Sequence, residues 1–185
     1  MKITNSKRLN FALMTSNDAQ LLFDLDQDAE VMRYINGGKI SSMQEIRDIY
    51  IPRMQSYTNE PLGWGLWKVE VTQTNEFIGW VLVRPMDFFT DHPQYNNLEL
   101  GWRFMQKAWG KGYATEAAQS ITRAIAEQTQ VKYFSAIAME DNAGSINIMK
   151  KLGMAFLKKE LHQDPLGDME AVYYQTNASS PGYKG

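Results

Sequence analysis

Hydrophobic and polar positions alternate through Leu9, Phe11 and Leu13, the period of a half-buried strand over residues 8–13. Thr15, Ser16, Asn17 and Asp18 then offer N-cap oxygens ahead of Ala19, Leu22 and Phe23, which predicts a helix. A second short helix is expected over 28–35, stopped by Gly37 and Gly38. Ser42-x-x-Glu45 has the form of a capping box and opens a third helix through Ile46, Ile49 and Tyr50. Pro52 has no backbone N–H to donate and is expected to kink or end it.

The pattern changes again after this helical block. Residues 66–71 and 77–84 are rich in β-branched and aromatic side chains and flank the polar run Thr72-Gln73-Thr74-Asn75, which predicts an antiparallel hairpin. A long connection over 85–97 carries Phe88, Phe89 and Tyr95, and a further strand is expected over 98–105. Ala114, Ala117, Ala118, Ile121 and Ile125 form the stripe of a helix buried on one face. A strand over 132–139, a helix over 142–152 closed by Gly153, and two strands over 154–162 and 169–176 complete the chain. This order implies an α/β (α+β) fold: a mixed sheet with helices on both faces. It is expected to form a single domain over 1–176, followed by a flexible tail over 177–185.

Composition narrows the chemistry. In 185 residues, 19 Lys and Arg face 21 Asp and Glu, so the net charge of −2 gives no global field for a nucleic-acid backbone. The absence of cysteine removes disulfides, thiolate metal sites and a thiol nucleophile, and His92 and His162 are too few for a histidine-rich metal site. No run approaches the roughly 20 apolar residues of a membrane span, and the opening residues lack the apolar core of a secretion signal. The expectation is a cytoplasmic protein with neither nucleic acid nor membrane as partner.

The candidate chemistry lies between Leu98 and Ala117, where a strand meets a turn with glycines at 110 and 112 and runs directly into a helix. Helix N-termini present unpaired amides and partial positive charge, and glycine allows close approach, so this arrangement suits a phosphate or pyrophosphate. A plain strand-to-helix turn would use the same residues. A Walker loop is excluded because Gly110-Lys111 is followed by Gly112, and a dinucleotide fingerprint because Thr115 stands where its third small residue belongs.

The run Glu99-Leu-Gly-Trp-Arg-Phe, followed by Trp109-Gly-Lys-Gly-Tyr-Ala-Thr-Glu-Ala117, resembles the acetyl-CoA-binding motif of the GNAT superfamily of N-acetyltransferases. It is most similar to the branch holding the Rim-type ribosomal-protein N-terminal acetyltransferases. Arg8-Leu9, Val31-Met-Arg-Tyr-Ile35, Phe77-Ile-Gly-Trp-Val81 and Asp141-Asn142-x-x-Ser145 through Lys151-Leu-Gly153 extend the likeness over about residues 7–175. The resemblance implies a splayed, mostly antiparallel sheet with acetyl-CoA wedged into its V and no metal.

It further implies that backbone of Gly110, Lys111, Gly112, Tyr113 and Ala114 holds the pyrophosphate, and that Phe104 and Met105 pair with the pantetheine arm. The Lys111 side chain would add charge near the phosphates or simply be solvated. Asn142 and Ser145 are cofactor contacts by the same likeness, although Asn142 is also a sound N-cap. The tyrosine acid many members carry is matched here by Met149, which leaves Ser145, or a water it holds, to protonate the leaving thiolate. Glu99 is the candidate base for the incoming amine, or else the partner of a nearby arginine; His92 is a weaker candidate. Phe88, Phe89, Tyr95 and Trp64 either line the acceptor's approach or cap the sheet edge. The implied activity is acetyl transfer to a peptide N-terminus or small amine by direct attack in a ternary complex. The alternative is a CoA-binding sensor or interaction module without turnover, and a homodimer is left open.

Overall fold

The computed structural model describes residues 1–179. Strand β1 (Leu9–Leu13) is followed by a 3-10 turn capped by Thr15, in which Asp18 returns a bond to the Thr15 amide as a capping box, and by α1 (Ala19–Asp26). Helix α2 (Ala29–Asn36) starts on the Asp28 carboxylate and stops at Gly37, whose φ of 78° is left-handed. Ser42 and Glu45 cap each other at α3 (Met43–Glu45) as the sequence predicts.

Pro52 does not end the helical run, and the backbone changes from π to α geometry just before it. The helix neither ends nor breaks there; a π-turn over Ile46–Tyr50 leads into α4 (Ile51–Tyr57), with Pro52 in the first turn. Proline lacks the N–H that a continuous α-helix would bond to the carbonyl four residues back, and the π-turn before it takes up that irregularity.

The remaining elements are β2 (Gly65–Val71), β3 (Glu76–Met86), β4 (Gln94–Phe104), α5 (Tyr113–Gln128), β5 (Tyr133–Ala138), α6 (Ala143–Lys151), β6 (Ala155–His162) and β7 (Met169–Asn177). The 85–97 connection is shorter than its composition suggested. β3 continues through Pro85 to Met86, with a register shift there, and β4 begins at Gln94. A proline is accommodated at such an irregularity because no ladder N–H is required of it.

The seven strands form one sheet in the order β1-β2-β3-β4-β5-β7-β6, antiparallel except where β4 meets β5. Its two faces carry separate cores. Leu98, Leu100, Phe134 and Ala136 pack against Ala117, Ala118, Ile121 and Ile125 of α5 and Met149 of α6. On the other face Leu66, Trp80 and Leu82 meet Leu22, Leu25, Ile46 and Met54 of the N-terminal helices. Among the described residues no helix is long and apolar enough to cross a membrane. β7 closes at Asn177, one residue beyond the expected domain end, and the tail from 180 onward lies outside the described residues.

Candidate active site

β4 and β5 pair only from Asn97↔Tyr133 to Leu100↔Ala136, after which β4 runs on to Phe104 and β5 to Ala138 apart. The sheet therefore splits at Gly101. A cleft of about 560 Å³ follows the split, walled by Trp102 and Phe104 of β4, the 110–114 turn, α6 from Asn142 to Lys151, and Arg33, Tyr34 and Ile35 of α2.

At one end of the cleft Gly110 and Gly112 have φ of 72° and 77°, a region L side chains avoid. Gly112 is also the N-cap of the 16-residue α5, and it has no side chain to cap the first-turn amides. Those amides, with the helix's partial positive end, face the cleft as an anion site. Lys151 on the wall adds positive charge, while Arg33 there is paired with Glu30 at 3.7 Å. These residues fit a pyrophosphate. Lys111 does not join them: it is exposed and off the wall, and its carbonyl accepts from Arg8 Nη1 at 3.0 Å.

The backbone of Met105 is engaged within the fold. Its N–H donates to the Ile78 carbonyl at 2.9 Å and its carbonyl accepts from Ala108 at 2.9 Å. Because an antiparallel ladder alternates its bonds from side to side, spending Met105 on β3 turns the backbone of Trp102 and Phe104 toward the split. Trp102 is therefore the strand residue that sequence reasoning missed. No signal in the sequence marks it: which positions of β4 face the split follows only from the β3–β4 register. The Trp109 indole, donating to the Phe104 carbonyl at 2.8 Å, ties the turn back to the strand.

On the opposite wall Asn142 accepts from the Ser145 amide at 3.1 Å and so caps α6. Ser145 Oγ accepts from Trp102 Nε1 at 3.2 Å, a bond across the mouth of the V. Met149 is fully buried on the core face of α6, whereas Ser145 and Ile148 face the cleft. The position equated with a tyrosine acid thus has no access to the reacting centre.

Glu99 stands just before the split, on the face of β4 opposite Trp102, and is not on the cleft wall. Both carboxylate oxygens are held by Arg84, Nε to Oε2 at 2.8 Å and Nη2 to Oε1 at 3.1 Å. The two side chains are 6% and 8% exposed, so this is a buried fork-to-fork pair. Burial works against the Arg84 charge, but the Glu99 carboxylate outweighs it and holds the guanidinium above its ordinary value.

Around the pair lie the rings of Tyr57 and Phe89, 5.6 Å and 5.1 Å from the Arg84 guanidinium carbon. Burial pushes the Tyr57 hydroxyl up to about 12. Arg53 stacks on Phe89 at 3.8 Å and pairs with Asp164 of the β6–β7 turn. Nearby, Tyr173 shares a 2.9 Å hydrogen bond with His162. The aromatic residues singled out in the sequence separate in space. Phe88 and Phe89 pack on Tyr57, while Trp64 and Tyr95 stack on each other at 6.0 Å beside Leu62 and Val131, in another groove. His92 is exposed on the 87–93 turn.

Comparison with known proteins gives the family and the fold. The family model for the acetyltransferase (GNAT) domain matches residues 8–155. An FsC-acetyl coenzyme A-N(2)-transacetylase of Aspergillus fumigatus is 27% identical over 157 residues, 83% of this chain and 65% of that longer protein, so the chain spans less than two thirds of this relative. The crystal structure of a GNAT-family acetyltransferase from Bacillus anthracis superposes with a TM-score of 0.76 at 21% identity, covering 97% of this chain and 100% of its own. RimL, a ribosomal-protein alpha-N-acetyltransferase solved in complex with coenzyme A, superposes at 0.72 with 13% identity, covering 95% of this chain and 97% of its own.

Proposed function

The chain belongs to the GNAT acetyltransferase family, and from that premise we propose that it transfers an acetyl group from acetyl-CoA to a primary amine by direct attack in a ternary complex. The observation that carries this reading is the uncapped N-terminus of α5, opening onto the same cleft as the Trp102–Ser145 bond at the sheet split. Acetyl-CoA supplies the activated acyl group. In the reading, amides of Gly112, Tyr113 and Ala114 bind the pyrophosphate, and the backbone of Trp102 and Phe104 holds the pantetheine arm. Ser145, oriented by the indole that donates to it, points its hydroxyl, or a water it holds, as a hydrogen-bond donor to the departing thiolate, which takes its proton from solvent through that contact.

The amine enters from the opposite face, past Tyr57, Phe88 and Phe89. Each Glu99 oxygen retains an acceptor direction beyond the one Arg84 uses, so the carboxylate can receive a hydrogen bond from the amine or from a water that carries its proton away. Close positioning of amine against thioester supplies much of the rate in such transfers. The acceptor is a peptide N-terminus or a small amine, in keeping with the range of relatives.

The test is a panel of amines and N-terminal peptides incubated with acetyl-CoA, read by free-thiol release and by the mass of the acetylated product. Product with any amine supports the enzyme. The competing reading, a CoA-binding sensor, draws on the arginine fork over Glu99 and the core-facing Met149. It is favoured if CoA binds and no amine releases thiol.

A further inference from the structure

Glu116 lies in the first turn of α5, the turn whose amides are offered to an anion. An uncompensated carboxylate there would repel phosphate from the very site that the helix end creates. The molecule meets this with residues more than a hundred positions away in sequence. Ser6 Oγ donates to Glu116 Oε1 at 2.7 Å, the Arg8 amide donates to the same oxygen at 3.1 Å, and Arg8 Nε donates to Oε2 at 2.6 Å. The guanidinium then continues under the turn. Nη1 donates to the Lys111 carbonyl at 3.0 Å, and the guanidinium carbon sits 4.4 Å from the Tyr113 ring centroid. A Cβ at Gly112 would stand 3.6 Å from Nη2.

From this arrangement we infer that Arg8 is a positioning residue of the CoA site: it neutralises Glu116 and fixes the 111–113 turn, so that the first-turn amides of α5 are free to take phosphate. The inference rests on the reading that this turn holds the pyrophosphate. The single side chain performs both tasks because a guanidinium is a planar fork with donors on both edges, which lysine cannot reproduce. It also explains why an acid is tolerated at this point: turned toward the N-terminal segment, Glu116 stabilises the helix start without facing the ligand.

The test titrates CoA and pantetheine, which lacks the pyrophosphate, into wild type, Arg8→Gln and Arg8→Gln/Glu116→Gln, with melting curves to establish folding. Arg8→Gln should weaken CoA by roughly 2–5-fold, the range of an exposed charge at a helix terminus. Pantetheine binding should not move. The double variant should recover most of the loss, because removing the carboxylate removes what Arg8 offsets. If Arg8→Gln does not fold, Arg8→Lys takes its place: it keeps the charge beside Glu116 and loses the fork to the Lys111 carbonyl, so CoA should weaken less and Glu116→Gln should not restore it. An unchanged CoA affinity, an equal loss for pantetheine, or, for Arg8→Gln, a double variant no better than the single overturns the inference. Wild type that binds pantetheine and CoA equally overturns instead the assignment of the turn to phosphate.

Discussion

The Trp102 indole donates to Ser145 Oγ across 3.2 Å, joining β4 to α6 over the point where the sheet opens. Both side chains line the cleft, and the bond leaves the serine proton directed away from the indole. Trp102→Phe keeps the ring and removes the donor. It should lower kcat while CoA affinity stays close to wild type, because the phosphate contacts lie elsewhere. Ser145→Ala should lower kcat at least as far. Equal kcat for Trp102→Phe and wild type in a stopped-time thiol assay would show that the bond does not orient Ser145 for turnover.

CoA should stabilise the protein without added metal. At about 100 times Kd a ligand contributes roughly 2.7 kcal/mol, and a chain of this size moves by roughly 2–4 °C per kcal/mol, so the midpoint should rise by about 5–10 °C. Thermal scans with CoA, with and without a chelator, measure this.

Gly112→Val should abolish CoA binding. The native φ of 77° costs an L residue about 1–2 kcal/mol, more for a branched one, so the turn must rearrange. The substitution meets little resistance from neighbours, since a Cβ there would find only the Arg8 guanidinium at 3.6 Å. A folded variant with normal CoA affinity would remove this turn from the site.

Glu99→Gln should carry two effects that can be separated. Removing one partner of a buried ion pair leaves the other uncompensated, typically at about 3–5 kcal/mol, so the melting temperature should fall. If Glu99 also takes the amine proton, kcat/KM per folded molecule should drop by roughly 10²–10⁴-fold and the acid limb of the pH–rate profile should change. Arg84→Met should reproduce the loss of stability. A Glu99→Gln protein that melts lower but turns over normally assigns the carboxylate to Arg84 alone.

Tyr57 predicts an alkaline limit. Its folded hydroxyl titrates near 12 against an ordinary value of 10, because burial disfavours the phenolate. Between these values the folded state holds the proton more tightly than the unfolded one. The stabilisation is therefore complete below pH 10 and is lost as pH rises toward 12, to the extent of ~2 kcal/mol. Denaturant midpoints measured across that range should fall, and Tyr57→Phe should flatten the slope by its share.

The local elements were largely legible in the sequence because short-range chemistry decides them. Ser42 and Glu45 cap one another within three residues, Gly37 ends α2 by backbone conformation, and the α5 stripe follows from helical period alone. The glycine turn and helix start were legible for the same reason, as were the core-facing positions of β4. That the chain stays helical through Pro52, by way of a π-turn, with Ile51 and Met54 buried, was not legible locally.

What the sequence determined by itself is thus the family motif, the element order and the glycine turn that opens α5. What only tertiary structure decided is which groups remain to do chemistry. Met105 looks equivalent to Phe104 until the β3 register spends its amide on Ile78. The arginine partner of Glu99 cannot be named until strand pairing sets Arg84 opposite it. Met149 faces the core because helix period, sheet and α5 together fix its side of α6. Arg8 reaches Glu116 and Lys111 only when β1 is brought beside the start of α5. In each case a donor or acceptor has a fixed number of partners, and contacts distant in sequence determine which of them it meets.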